Sequence, residues 1–133
     1  SSDVCSSDLP AKLWESAYAD YGAAQYDLAI LGFQAYIKTF PKSDMADDAQ
    51  VGICNSFINQ AQYEKAVEAC DTAIRTYPSG NALPEGLYKK GLALQNLKRI
   101  DEAREAYQLV VQKYPESAAA TLASQKLIEL KKP

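Results

Sequence analysis

Hydrophobic and polar positions along this chain follow a helical period that is broken by short polar turns and, at regular intervals, by proline. From Pro10, apolar residues fall at helical spacing at Leu13, Trp14, Ala17, Tyr18 and Tyr21. Gly22-Ala23-Ala24-Gln25 reads as a turn, and a second stripe follows at Ala29, Ile30, Phe33, Tyr36, Ile37 and Phe40. It stops at Pro41, because proline disfavours helix in the residue before it. The same text returns with Val51, Cys54, Phe57 and Ile58, then Ala66, Val67, Cys70, Ala73, Ile74 and Tyr77, before Pro78. It returns again with Leu87, Gly91, Leu94 and Leu97, a polar turn near Lys98-Arg99, then Ala103, Ala106, Tyr107, Val110 and Val111, before Pro115. A last helix, about 117–131, carries Ala120, Ala123, Leu127 and Leu130 on one face and has no partner.

Ala17–Pro41, Cys54–Pro78 and Gly91–Pro115 are therefore three copies of one unit, offset by 37 residues. Such units bury their apolar faces by stacking, so the prediction is an all-α array of three helix hairpins, about 10–43, 44–80 and 81–117. The final helix covers the last apolar face. The small residues Ala17, Cys54 and Gly91 are predicted to face Ala29, Ala66 and Ala103, letting the backbones approach to roughly 8–9 Å. Pro10 opens the first helix. Ser43 and Asp44 suit caps, and Asp47 and Asp48 a first turn. Asp27, Glu64 and Asp101 recur in the first turn of each second helix, where the helix dipole explains them without any chemistry.

Composition adds limits. The apolar share of 47% and charged share of 23% fit a folded domain. No run of about 18 uncharged apolar residues occurs, so no membrane insertion is expected of this stretch. The net charge of −3 is unevenly spread. Residues 1–72 carry 4 Lys/Arg against 11 Asp/Glu, and residues 73–133 carry 10 against 6. The pI of 4.9 and scattered basic residues argue against nucleic acid. With no histidine, a Ser-His or Cys-His triad cannot form within the chain. The glycines make no phosphate-cradling fingerprint. No catalytic, metal or cofactor residue is assigned.

The opening SSDVCSSDL stands apart from the periodic text. It reads as the translation of a sequencing adaptor joined to a truncated frame, or as a Ser/Asp-rich tail, and fold reasoning starts at Pro10. Cys5 belongs to that stretch. Cys54 and Cys70 lie on the apolar faces of one hairpin. Antiparallel pairing that sets Cys54 level with Ala66 leaves Cys70 about one turn away, so buried free thiols are expected. A disulfide is the alternative in an oxidising compartment.

The recurring Gly91, Ala103, Tyr107 and Pro115 pattern resembles tetratricopeptide (TPR) repeats over Pro10 to about Pro115, with a spacing longer than the usual 34. The resemblance implies a right-handed superhelix of three TPR-like hairpins plus a C-terminal capping helix. FPKSDMADDA, YPSGNALPEGLYKKGLAL and YPESAAATLASQKL are similar to the C-terminal domain of the periplasmic Tol-Pal accessory family YbgF, also called CpoB. That likeness implies a periplasmic adaptor contacting a TolA-like envelope protein during cell division. It also implies a homo-oligomer through an N-terminal coiled coil that this chain lacks.

In repeats of this type the first helices line a concave groove. The likeness therefore points to Trp14, Tyr18 and Tyr21, then Val51, Asn55, Ile58 and Asn59, then Tyr88, Leu92, Gln95 and Asn96 as a partner-binding face. Aromatics supply contact area and amides pair with a peptide backbone. Each has a structural reading beside it: Trp14 or Tyr88 packing between repeats, Asn59 and Asn96 shaping turns. The functional expectation is a protein-binding adaptor, not an enzyme. The competing readings are a repeat domain of an outer-membrane lipoprotein that assists β-barrel assembly, and a docking module of a larger enzyme.

Overall fold

A computed structural model describes residues 9–131; residues 1–8, which hold Cys5 and most of the SSDVCSSDL stretch, and residues 132–133 lie outside the described residues. Within it the helices are α1 (Leu9–Gly22), α2 (Tyr26–Thr39), α3 (Ala46–Asn59), α4 (Tyr63–Thr76), α5 (Leu83–Asn96), α6 (Ile100–Lys113) and α7 (Ala118–Lys131). They pack as the predicted all-α superhelix: α1 on α2, α3 on α4 and α5 on α6, with α7 lying on α6 and α5. First helices also touch one another, α3 on α5 and α5 on α7, with no comparable packing between α2 and α4 or between α4 and α6. The array therefore curves with the first helices inside.

The hairpin turns share one backbone solution. Ala24, Ala61 and Lys98 adopt φ of 62°, 59° and 66°. The residue after each sends its N–H back to a carbonyl of the first helix, Gln25 to Asp20, Gln62 to Phe57 and Arg99 to Leu94, at 2.8 to 2.9 Å. This closure satisfies helix-end carbonyls. Asn59 and Asn96, the sequence candidates for shaping the turns, instead return their amides to Asn55 and Leu92 one turn back, both at 2.9 Å. At the third hairpin's exit, Ser117 caps α7 by accepting the Ala120 N–H at 3.0 Å.

One apolar cluster runs through the hairpins, including the fully enclosed Phe33, Cys54, Cys70, Leu94, Tyr107 and Val110. Its register departs from the sequence reading. Ala17, Cys54 and Gly91 lie close against Gly32, Cys70 and Tyr107, about one turn beyond Ala29, Ala66 and Ala103. Cys54 and Cys70 form a disulfide, with Cα atoms 5.3 Å apart and no exposure of either residue. A Cβ at Gly91 would run into the Tyr107 ring, and one at Gly32 would come to 2.8 Å of the Ala17 Cβ. The cause is the tilt of every Cα–Cβ bond toward its own helix N-terminus. Cys54 leans away from the turn, Cys70 leans toward it, and the two converge; Ala66 leans away from Cys54. Free thiols at these positions were the wrong expectation.

A second correction concerns the acidic start of α3. Ser43 and Asp44 do not cap it. The Ser43 hydroxyl pairs with the Tyr36 hydroxyl and accepts the Met45 N–H. Asp47 is more than a dipole partner: it is buried and accepts the Ala82 N–H at 2.8 Å, tying the second hairpin to the loop that opens the third. Lys90 of α5 meets Asp71 of α4 at 2.7 Å across the same junction.

Candidate functional site

The inner face of the first two hairpins holds a hollow of about 440 Å³. Its first wall is an aromatic ladder on α1. The period of three and four residues sets Trp14, Tyr18 and Tyr21 one above another. Trp14 and Tyr18 stack at 5.9 Å and Tyr18 and Tyr21 at 6.2 Å between ring centroids. Trp14 is anchored at its base by Phe33 at 5.4 Å and Tyr36 at 5.9 Å. Tyr18 in the middle is 59% exposed, a large aromatic surface left open.

The floor and far wall come from α3 and α5, where Val51, Gly52 and Asn55 meet Glu85 and Lys89. Side-chain amides bridge the first helices here. Asn55 donates to the Glu85 carboxylate at 3.1 Å, and Asn59 donates to the Tyr21 hydroxyl at 3.4 Å. Burial raises the Tyr21 phenol above its ordinary value. Asp48 also lines the hollow. Burial pushes its carboxyl up to about 6, and the Asp47 and Glu85 carboxylates add to the effect.

Of the residues singled out from sequence, Trp14, Tyr18, Tyr21, Val51 and Asn55 share this hollow. Asn59 reaches it through Tyr21. Ile58 is half-buried against the core. Leu92, Gln95 and Asn96 line a separate hollow of about 370 Å³ beside Lys98 and Lys126. Tyr88 is buried against Tyr107, with ring centroids 5.9 Å apart, so it serves packing. The structure thus brings the α1 and α3 candidates together and leaves Tyr88, Leu92, Gln95 and Asn96 of α5 apart from them.

Asp48, Glu85 and Lys89 were missed as site residues. Asp48 and Glu85 stand 37 positions apart, the repeat offset, so recurrence of an acid at one place on successive first helices was the available signal. On the outer side, a hollow of about 510 Å³ lies between α2, α3 and α4. There Gln50 donates to the Ala69 carbonyl at 3.1 Å, and Lys65 sits over the Phe57 ring at 5.9 Å. Among the described residues no group of His, Cys, Asp or Glu is gathered to hold a metal, and no helix is long and apolar enough to cross a membrane.

A family model described as YfiO, outer membrane lipoprotein, matches residues 7–133. The chain belongs to this family. No significant match exists among curated protein sequences. Solved structures supply the fold likeness. The type III secretion translocator chaperone SycD of Yersinia enterocolitica is 18% identical, with a TM-score of 0.79 over 97% of this chain and 96% of that one. The N-terminal domain of STI-1 from C. elegans is 13% identical, with a TM-score of 0.78 over 94% and 96%. The second TPR domain of human RPAP3, in complex with the HSP70 peptide SGPTIEEVD, is 18% identical, with a TM-score of 0.73 over 93% and 99%. The chain has the TPR fold.

Proposed function

We propose that this protein is a non-enzymatic adaptor of the bacterial cell envelope that holds a segment of another envelope protein in the groove between α1, α3 and α5. The carrying observation is the open Trp14–Tyr18–Tyr21 ladder facing amides and carboxylates across a hollow. Rigid aromatics give area at low entropic cost, and Asn55 and Asn59 offer pairing for an extended or helical backbone. A stacked helical scaffold holds these groups in place before the partner arrives, which lowers the ordering cost of binding. A solved TPR domain of the same fold holds a peptide, which supports the reading.

Membership in an outer-membrane lipoprotein family favours a periplasmic role beside the outer membrane, in assisting β-barrel assembly. The second reading is a Tol-Pal adaptor binding a TolA-like segment in cell division, and the inter-repeat strings FPKSDMADDA and YPSGNALPEG support it. Site-specific photo-crosslinking in a bacterial host tests both. A crosslinker at Tyr18 is expected to capture one envelope protein, while one at Leu31, exposed on α2, does not. Capture of a barrel-assembly component or of TolA selects between the settings. Equal capture from both positions, or none from Tyr18, contradicts the groove.

A further inference from the structure

The groove is chemically lopsided. Its apolar wall is aromatic, and its floor brings Asp48 and Glu85 to one hollow from successive first helices. Among the described residues no ion pair engages either carboxylate. Asn55 donates to Glu85, and Lys89 is the cation on the wall. Asp47 stands beside Asp48 and also accepts the Ala82 N–H. Burial, and then these neighbouring carboxylates, raise the Asp48 carboxyl above the ordinary range. The surrounding half of the molecule is acidic as well, with 11 Asp/Glu against 4 Lys/Arg through residue 72.

We propose that the groove selects a protein segment carrying an arginine or lysine beside an aromatic or aliphatic residue. The cationic head enters between Asp48 and Glu85, and the apolar neighbour lies on the Trp14–Tyr18–Tyr21 ladder. This rests on the groove being the docking face. A guest cation relieves the repulsion between the two carboxylates, whereas an acidic segment adds to it. Arginine fits best, because its planar guanidinium stacks on an aromatic ring while forking toward a carboxylate. The acidic front half steers such a segment toward the groove over a distance set by ionic strength.

Panning a random peptide library against the full chain tests this. Selected peptides are expected to be rich in Arg or Lys next to aromatic or aliphatic residues. A synthetic peptide made from the selection should bind about tenfold more weakly or worse when its basic residue becomes glutamine, the loss of one charge-assisted contact. The Asp48→Asn/Glu85→Gln variant should lose the basic preference and keep the apolar one. If wild type selects acidic or uncharged peptides whose binding still falls in Tyr18→Ala, the charge proposal is overturned and the groove stands. If no peptide is selected, or Tyr18→Ala binds the selected peptides as well as wild type does, the groove reading falls too. Circular dichroism of both variants excludes unfolding as the cause.

Discussion

The second and third hairpins fill the same gap in two ways. In the third, Gly91 lies beneath the Tyr107 ring, whose hydroxyl donates to Gln95 at 2.8 Å. In the second, the equivalent pair is Cys54 and Cys70, joined covalently. The inner surface differs in step. Tyr107 draws Gln95 and Tyr88 of α5 into its own packing. The disulfide is compact and needs no such support, so Asp48, Val51 and Asn55 of α3 stay on the groove. Tyr107 thus takes Tyr88 and Gln95 of α5 into the third hairpin's packing, while Glu85 and Lys89 at the start of α5 join Asp48, Val51 and Asn55 of α3 on the groove.

Tyr107→Ala should do the greatest damage on this view, since it empties the third gap and strands Gln95. A loss of about 3–5 kcal/mol is expected in urea unfolding. A cost below about 1 kcal/mol would mean that the ring is not the closing element. Removing the covalent link comes next. Cys54→Ala/Cys70→Ala opens a loop with a sequence separation of 16 and should cost about 2–4 kcal/mol. Thermal melting with and without a reductant should shift for wild type and not for the variant. Cys54→Gly/Cys70→Tyr transplants the third hairpin's solution; if the gaps are equivalent, it melts above the double alanine variant and ignores reductant.

Gly91→Ala is smaller in chemistry yet drives a methyl into a fully buried ring, and about 1–3 kcal/mol should be lost. The smallest effect lies on the groove. Asp48 has its folded pKa raised from the ordinary 3.8 to about 6, so the native state binds more protons than the unfolded chain between those values. Its favourable contribution is complete below the lower value and lost as pH rises through the higher. Asp48→Asn should therefore melt above wild type at neutral pH, with the difference closing toward pH 4. A difference independent of pH would show that Asp48 is not set apart by burial and by its acidic neighbours.

The repeat architecture was legible because its signals are local: apolar periodicity, recurring alanines and prolines, and a constant offset. The closing helix followed from the same logic. The interhelix register was not legible, because it depends on the lean of Cβ atoms across the hairpin, which moved Cys54 from Ala66 to Cys70 and turned expected thiols into a disulfide. Asp47 stands in the first turn as expected, but its second role was hidden for a related reason. A first-turn acid suits the helix dipole wherever it stands, and only the fold brings the Ala82 N–H to it. On the groove, the α1 aromatics could be picked out by spacing. Tyr88 could not be separated from them, since its burial is set by Tyr107 on the neighbouring helix.

Partners should dock on the inner face built by α1, α3 and the start of α5, and not on the Leu92 to Asn96 end of α5. Backbone amide NMR shifts during titration with a library-selected basic peptide test it most directly. The largest shifts are expected at Trp14 to Tyr21, at Asp48 to Asn55 and at Glu85, with Leu92 to Asn96 little moved. Shifts centred on Leu92 to Asn96, or on the outer hollow around Gln34, Lys65 and Thr72, would contradict it.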